Sequence, residues 1–484
     1  MPLAHRDATV LAVSASIRHG NSPACGAGRA VAVWLCSDRM SSLRLTVSTL
    51  SLAFAVPTQD PPRLVVGSTG ARIAKFVAGA AALHFRGAVL AARGGKVVAA
   101  LGVGPADLDG KVENDARTLF ELASVTKQFT AAAVLVLVQD GALRLDDAIA
   151  QHLPGVPDAS RAITVRQLLQ HTSGMPGGNG RGRGDDLAAV VPSFLAGGPR
   201  HIPGTHWEYW NQGYALLAGI VERAAGEPFV DFCRRRLFAP GGLATACFTG
   251  DAAPAGATVA IGKSFHGPAR SALEHPYGSD GYQYRGMGGA VASVWDLWHW
   301  DRALRGDAVL DAASRRELFA PGLGDYALGW FVRSLDGRLV QHHGGSVRGF
   351  LCEVRRFPAE DAFVVVLCNR DDGPMGEVTN VVTSLLFGGT IDVPKPLPAA
   401  VGAALLGDWR SPDGQLSIEV HEGLLRARME WSQVGAVSRG YLVGESLTAT
   451  SLFDWRTSLA LTIEPGPGRT VAAVRLAGLR FSRP

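Results

Sequence analysis

Between residues 60 and 370 the spacing of apolar positions switches repeatedly between strand-like and helix-like periods. GAVLAARGGKVVAALGVG, residues 87–104, reads as two apolar strands hinged at a Gly-Gly turn. From Ser124 to about Asp140 the chain is apolar almost throughout, has the length of a buried helix and stops at Gly141. TVRQLLQ starts a second helix at Thr164 and ends before HTSGMPGG, which opens a glycine-rich loop reaching about Gly184. YALLAGIVERAAG, FVDFCRRRLF and SVWDLWHWDRALRG follow as amphipathic helices. Strand patterns return over residues 326–370 in YALGWFVRS, RLVQHHGG, FLCEVRRF and AFVVVLCNR. Strands at both ends with helices between them predict one sheet assembled from both ends of the segment and covered by helices. Beyond a proline-rich linker, IDVPKPLPAA at 391–400, residues 401–484 hold short β patterns such as QLSIEVHEGLLRARMEW and SLALTIEP. They predict a small antiparallel, barrel-like β domain.

The first 59 residues read as an extension outside this organisation. Within it MSSLRLTVSTLSLAFA, residues 40–55, carries one arginine, a short apolar run and a small-x-small ending at Ala53-Phe54-Ala55. That is the pattern of a secretory signal. The expected domain plan is thus an extension over 1–59, a main domain over 60–390, the linker, and the β domain. Met40 reads as the true start, and the product as periplasmic or secreted after cleavage near Ala55. A poorly ordered cytosolic N-terminus is the alternative. No stretch of about 20 uninterrupted apolar residues predicts a membrane span.

Composition narrows the function classes. A chain of 484 residues, 47% hydrophobic and 19% charged, can bury a large core in two or three domains. Its net charge of +4 leaves no electrostatic footprint for nucleic acid. The basic cluster Arg234-Arg235-Arg236 reads as a solvated helix face. Of six cysteines, Cys25 and Cys36 lie in the extension, while Cys352 and Cys368 flank FPAED in neighbouring strand patterns. A hairpin would bring that pair close, as a disulfide or as two buried free thiols. His342 and His343 are adjacent, and His201 and His206 lie in a loop rather than at an i, i+4 helical spacing, so no zinc site and no other cofactor is expected.

The chemistry concentrates in FELASVTKQFT, where Ser124 and Lys127 stand three positions apart. On a helix they share a face, so the amine reaches the hydroxyl, and the helix start favours negative charge on the serine oxygen or a bound oxyanion. A serine becomes a nucleophile when a base takes its proton, and an amine serves if desolvation lowers its pKa. Alone, the pair is equally a serine N-cap beside a solvated lysine. Tyr209-Trp210-Asn211 in PGTHWEYWNQGY and His343-Gly344-Gly345 in QHHGGSVRGF add the remaining polar groups.

With these residues in this order, the sequence resembles the class C β-lactamase-related serine hydrolases, the group of D-aminopeptidases, D,D-carboxypeptidases and promiscuous esterases. The matching stretches are FELASVTKQFT, VRQLLQHTSGMPG, PGTHWEYWNQGY, RGMGGAVASVWDL and HHGGSVRGF, and the resemblance covers roughly residues 65–390. It implies an α/β fold of the α+β kind: a β-lactamase/transpeptidase-like antiparallel sheet flanked by helices, with a helical subdomain and the small C-terminal β domain. Ser124 would be the acylated nucleophile. Lys127 would accept its proton or hold the hydrogen-bond network. Tyr209 would act as general base, in phenolate form beside Lys127, and Asn211 would hold the ammonium and a substrate amide. Backbone N–H groups of Ser124 and Ser346 would form the oxyanion hole, with Gly345 beside them. His343 replaces the K-T-G lysine that attracts a carboxylate in penicillin-recognising enzymes. This makes efficient β-lactam hydrolysis less expected than cleavage of D-amino-acid amides or small esters. Arg348 would then offer a carboxylate its charge, and Trp210 would either narrow the pocket or pack beneath the loop. Substrate preference is expected to lie in loops 174–200 and 262–286. A D,D-carboxypeptidase or β-lactamase is the runner-up, and a penicillin-binding sensor or scaffold without turnover is the alternative of another class. The expected partner is a small-molecule or peptide substrate; the oligomeric state has no readable signal.

Overall fold

The computed structural model describes residues 60–484 apart from 178–183, 266, 279–280, 391–392, 394, 432–436, 447–448, 455–457, 467–469 and 477–478. The extension, the signal at 40–55 and the start at Met40 therefore lie outside the described residues. Seven strands form the main sheet: β1 (Leu64–Val65), β2 (Gly87–Arg93), β3 (Lys96–Val103), β4 (Phe331–Leu335), β5 (Arg338–Val347), β6 (Phe350–Phe357) and β7 (Ala362–Cys368). Their order is β1-β3-β2-β7-β6-β5-β4, antiparallel throughout, so both ends of the segment do meet in one sheet. Gly94 and Gly95 supply the positive φ values, 57° and 69°, that turn β2 into β3. Strand β4 starts five residues later than the pattern of YALGWFVRS implies. Tyr326 and Phe331 bridge across a turn closed by Ala327 N–H to the Trp330 carbonyl at 2.7 Å.

Strand β7 is apolar at every position because both sheet faces are covered. Val364, Val366 and Cys368 join the core of α1 (Gly67–Ala81) and α5 (Met375–Leu386). Phe363, Val365 and Leu367 join the larger core around α2 (Lys127–Gln139), α3 (Asn211–Ala225) and α4 (Val294–Ala303). This alternation also decides the cysteines. The β6–β7 register opposes Cys352 to Leu367 and Leu351 to Cys368, an offset of one residue. Such an offset sends the two side chains to opposite faces, so the disulfide is ruled out and both thiols are free and buried. Cys352 lies in the α2 core and Cys368 in the α1 core, where burial pushes its thiol up to about 12.

The arginine cluster behaves as a solvated face. Helix Phe229–Cys233 runs into a π-helical turn over Arg234–Phe238. From it Arg234 pairs with Asp231 and Asp251, Arg235 with Glu227, and Arg236 with Asp140. No helix among the described residues is long and apolar enough to cross a membrane.

Beyond residue 400 eight strands close into a barrel: β8 (Gly407–Ser411), β9 (Gly414–His421), β10 (Leu424–Trp431), β11 (Val437–Ser446), β12 (Ala449–Asp454), β13 (Ser458–Pro465), β14 (Val471–Leu476) and β15 (Leu479–Ser482). Arg410 and Ser482 pair to close it, and Trp409, Leu416, Ile418 and Phe481 fill its centre. The barrel docks on the sheet domain through charge and apolar contact: Arg370, just past β7, holds Glu422 of the β9–β10 turn at 2.7 Å, and Tyr441 is buried in the α1 core.

The register makes a countable prediction. In protein unfolded without reductant, Cys352→Ser lowers the number of reactive thiols by one. A Cys352–Cys368 bridge would instead raise it by one, by releasing the partner.

Candidate active site

The segment that carries Ser124 is threaded between two sheets. Phe120–Glu121 pairs with Ala290–Ala292, and Leu122 N–H reaches the Ala290 carbonyl at 2.9 Å. Glu121 is fully buried and accepts from Arg270 and Tyr284; burial pushes its carboxyl up, and the Arg270 guanidinium opposes that shift. Ala123 then takes a left-handed φ of 44°, a strained conformation for a residue with a β-carbon. Ser124 sits in a 3₁₀ turn over Ala123–Thr126, and the α-helix begins only at Lys127, three residues later than the sequence pattern predicts. Strand β5 packs directly against this segment. A β-carbon on Gly345 would collide with the Leu122 carbonyl and the Cys352 sulfur, so glycine is what lets the strand come this close.

Lys127 is completely buried at the start of α2. Its Nζ lies 3.0 Å from Ser124 Oγ, 2.8 Å from Asn211 Oδ1 and 2.9 Å from the Met287 carbonyl oxygen. Desolvation holds its pKa well below the usual lysine range. In the neutral amine that this shift favours, both N–H groups go to the amide and carbonyl oxygens, which only accept, and the nitrogen lone pair faces Ser124 Oγ.

Tyr209 and Asn211 come from the entry to α3. The Tyr209 phenol is hydrogen-bonded to Ser124, its ring centroid lies 4.9 Å from Lys127 Nζ, and burial pushes its pKa well above the phenol range. It is therefore a protonated donor in this state, and the expected phenolate is not its resting form. Trp210 is 4% exposed and belongs to the core; its backbone N–H donates to His171 Nδ1 at 3.2 Å. It packs beneath the loop and does not narrow the cavity. His171, itself at a φ of 56°, lies with its ring centroid 4.2 Å from that of Tyr209.

On β5, His343 lines the cavity with Gly344, Gly345 and Ser346. His343 Nδ1 contacts the Gly344 carbonyl at 2.6 Å, which makes it the donor, and Nε2 meets the Tyr326 hydroxyl at 3.0 Å. Burial pulls its pKa down to about 3, and a charge on Lys127, where present, acts in the same direction. Arg348 does not join the others. Strand β5 ends at Val347, so Arg348 lies in the turn to β6, outside the cavity lining. Its carbonyl accepts from Arg270 at 2.9 Å, and its charge acts on Glu121 and Tyr277.

Several contributors carry no sequence signal. The Met287 carbonyl is a backbone acceptor, visible only as part of RGMGGAVASVWDL. The cavity, about 550 Å³, runs from Ser124, Tyr209 and His343 to Asp372 and on to Arg426 and Tyr441 of the barrel. At another place the loop before Tyr209 gathers His201, His206 and Glu208, whose ligand-capable atoms lie within 4.8 Å of one another. Spacing alone missed this group, which could hold a cation; its two histidines are exposed.

The sequence model of the Beta-lactamase family matches residues 73–385. Penicillin-binding protein 4* of Bacillus subtilis (strain 168) is 29% identical over 370 residues, covering 68% of this chain and 80% of that protein. In fold, the chain resembles the octameric penicillin-binding protein homologue of Pyrococcus abyssi, with a TM-score of 0.60 at 19% identity, covering 86% of this chain and all of that one. It also resembles the D-amino acid amidase of Ochrobactrum anthropi SV3 in complex with D-phenylalanine, with a TM-score of 0.58 at 22% identity, covering 67% and 100%.

The burial of His343 is open to measurement. In histidine-labelled protein the ¹⁵N signals that disappear in His343→Gln stay those of a neutral imidazole at pH about 5, where an ordinary histidine is already cationic. Titration near the free value of about 6.5 would show a solvated ring instead.

Proposed function

Since the chain belongs to the beta-lactamase family, we propose that it is a serine hydrolase that cleaves an amide or ester by acyl transfer through Ser124. The observation that carries this reading is the arrangement at Lys127 Nζ, where two obligate acceptors leave a lone pair aimed at the serine hydroxyl. Lys127 takes the Ser124 proton as Oγ attacks the carbonyl carbon. The oxyanion collects at the backbone N–H groups of Ser124 and Ser346, each donor worth about 3–4 kcal/mol in such sites. Tyr209, protonated and bonded to Ser124, gives its proton to the leaving group as the tetrahedral intermediate collapses. The proton held by Lys127 then restores Tyr209. Water attacks the acyl-enzyme by the same route in reverse, and Ser124 recovers its hydrogen.

Asn211 and His343 serve as positioning residues in this scheme. Asn211 fixes the amine. Neutral His343, with both nitrogens engaged, holds β5 beside the nucleophile and gives a carboxylate no ionic anchor. That favours D-amino-acid amides, peptides or small esters over β-lactams, in line with an amidase among the fold relatives. The penicillin-binding name of the sequence relative supports a D,D-peptidase as the second reading.

Two results follow. Intact-mass spectra after mixing with an activated ester show one acyl group on the wild-type protein and none on Ser124→Ala, and turnover falls by at least about 10³-fold in that variant. A mass increase that persists with penicillin, without turnover of any ester or amide, would mark a sensor. The pH profile has a worked sign: the active form carries neutral Lys127, whose pKa is depressed, so kcat/KM rises with pH through that depressed value and then levels. A limb that falls over that range as the pH rises would overturn the assignment of Lys127 as base.

A further inference from the structure

The catalytic cavity does not end in the domain that holds the nucleophile. Its far wall combines Asp371 and Asp372, just past β7, with Arg426 and Tyr441 of the barrel. Phe331, Leu351 and Met375 give it apolar surface. Four of its residues carry charge at neutral pH, namely Glu353, Asp371, Asp372 and Arg426, and the question is which of them is left for a ligand.

All three acids accept hydrogen bonds. Glu353 Oε1 accepts from His342 at 3.3 Å and from Arg355 at 3.2 Å. Asp371 accepts from Ser264 Oγ at 2.7 Å and from the N–H groups of Phe265 and Gly349 at 2.8 and 2.9 Å. Asp372 is held by two nitrogens of Arg370, at 2.5 and 3.0 Å. Arg426 differs. On strand β10, with its side chain 8% exposed, it gives Nε and Nη2 to Glu419 at 3.2 and 2.6 Å. Its Nη1 is buried and has no hydrogen-bond partner among the described residues. The Asp372 carboxylate, hydrogen-bonded to Arg370, stands 3.6 Å away, close enough for an ion pair but beyond hydrogen-bond length. The Phe265 ring lies 5.0 Å from the guanidinium carbon, so one face of the cation is also covered.

We infer that Arg426 is a substrate-binding residue, and that the substrate carries a carboxylate at the end remote from the bond that Ser124 attacks. A guanidinium N–H buried without an acceptor is costly, and a carboxylate relieves that cost with a charge-assisted bond. The barrel is thereby part of the active site: it selects an anionic terminus at a distance, across a partly apolar cavity. The charge that the sequence placed on Arg348 is supplied from the other domain. This inference rests on the serine-hydrolase reading for the cleavage and stands on its own for the binding.

The test uses 4-nitrophenyl monoesters of succinic, glutaric, adipic and suberic acids, each beside its methyl 4-nitrophenyl diester. In the wild-type protein kcat/KM for the free acid exceeds that for the methyl ester by at least about tenfold at one chain length or more. In Arg426→Gln the ratio collapses to about one. Arg428→Gln, an exposed neighbour on the same strand, keeps it. Ratios near one at every length in the wild type, or a preference that survives Arg426→Gln, would overturn the inference. If no ester is cleaved, the hydrolase reading falls, and calorimetry on the wild-type protein decides the binding alone. Hexanoate that binds at least about tenfold more tightly than hexanamide upholds the anion site, and equal binding refutes it.

Discussion

The structure depends on keeping water away from one amine. Lys127 is placed where Ser124, Asn211 and the Met287 carbonyl meet its amine, and those groups come from three separated parts of the chain. A solvated lysine would stay an ammonium at neutral pH and give the serine no lone pair. The burial is built from packing on all sides: helix α2 is buried from Lys127 to Leu137, and Gly329, at a φ of 76°, comes so close that a β-carbon would press on the Lys127 carbonyl. Gly345 does the same for β5 against the turn that holds Ser124. Strain at Ala123 and His171 and the fully buried Glu121–Arg270 pair are the local costs of that threading.

Much of this was legible in the sequence, for identifiable reasons. Ser124, Lys127, Tyr209, Asn211 and His343 are side chains in short motifs, and the structure gathers all five around one point. The two-ended sheet and the barrel followed from apolar periodicity. What stayed hidden depends on register or on backbone. A one-residue offset between β6 and β7 separates Cys352 from Cys368, and no spacing rule reports it. Arg348 reads as a cavity residue only if β5 runs one residue further than Val347. Met287 contributes an oxygen that every residue has.

The electrostatic layout gives the two ends of the cavity different tasks. Near Ser124, burial drives the ionisable groups to their neutral forms: amine, phenol and imidazole all shift in that direction. At the barrel end the charges persist because they are paired, as in Arg370 with Asp372 and Glu422. On the proposed reading, a neutral end for bond breaking and an ionic end for recognition share one cavity. That reading gives the barrel, which lines the cavity with Arg426 and Tyr441, a part in substrate choice that the short motifs do not encode.

The central claim is that Lys127 is a neutral amine at working pH. The direct measurement is a ¹³C NMR titration of protein labelled at lysine Cε, with the Lys127 signal assigned by its loss in Lys127→Arg. A neutral Lys127 gives a resonance already in the neutral-amine position at pH about 8, where a free lysine side chain, with a pKa of about 10.4, is still an ammonium. A Lys127 signal that moves only near that free value would show a protonated ammonium beside Ser124, and would remove the base on which the proposed chemistry rests.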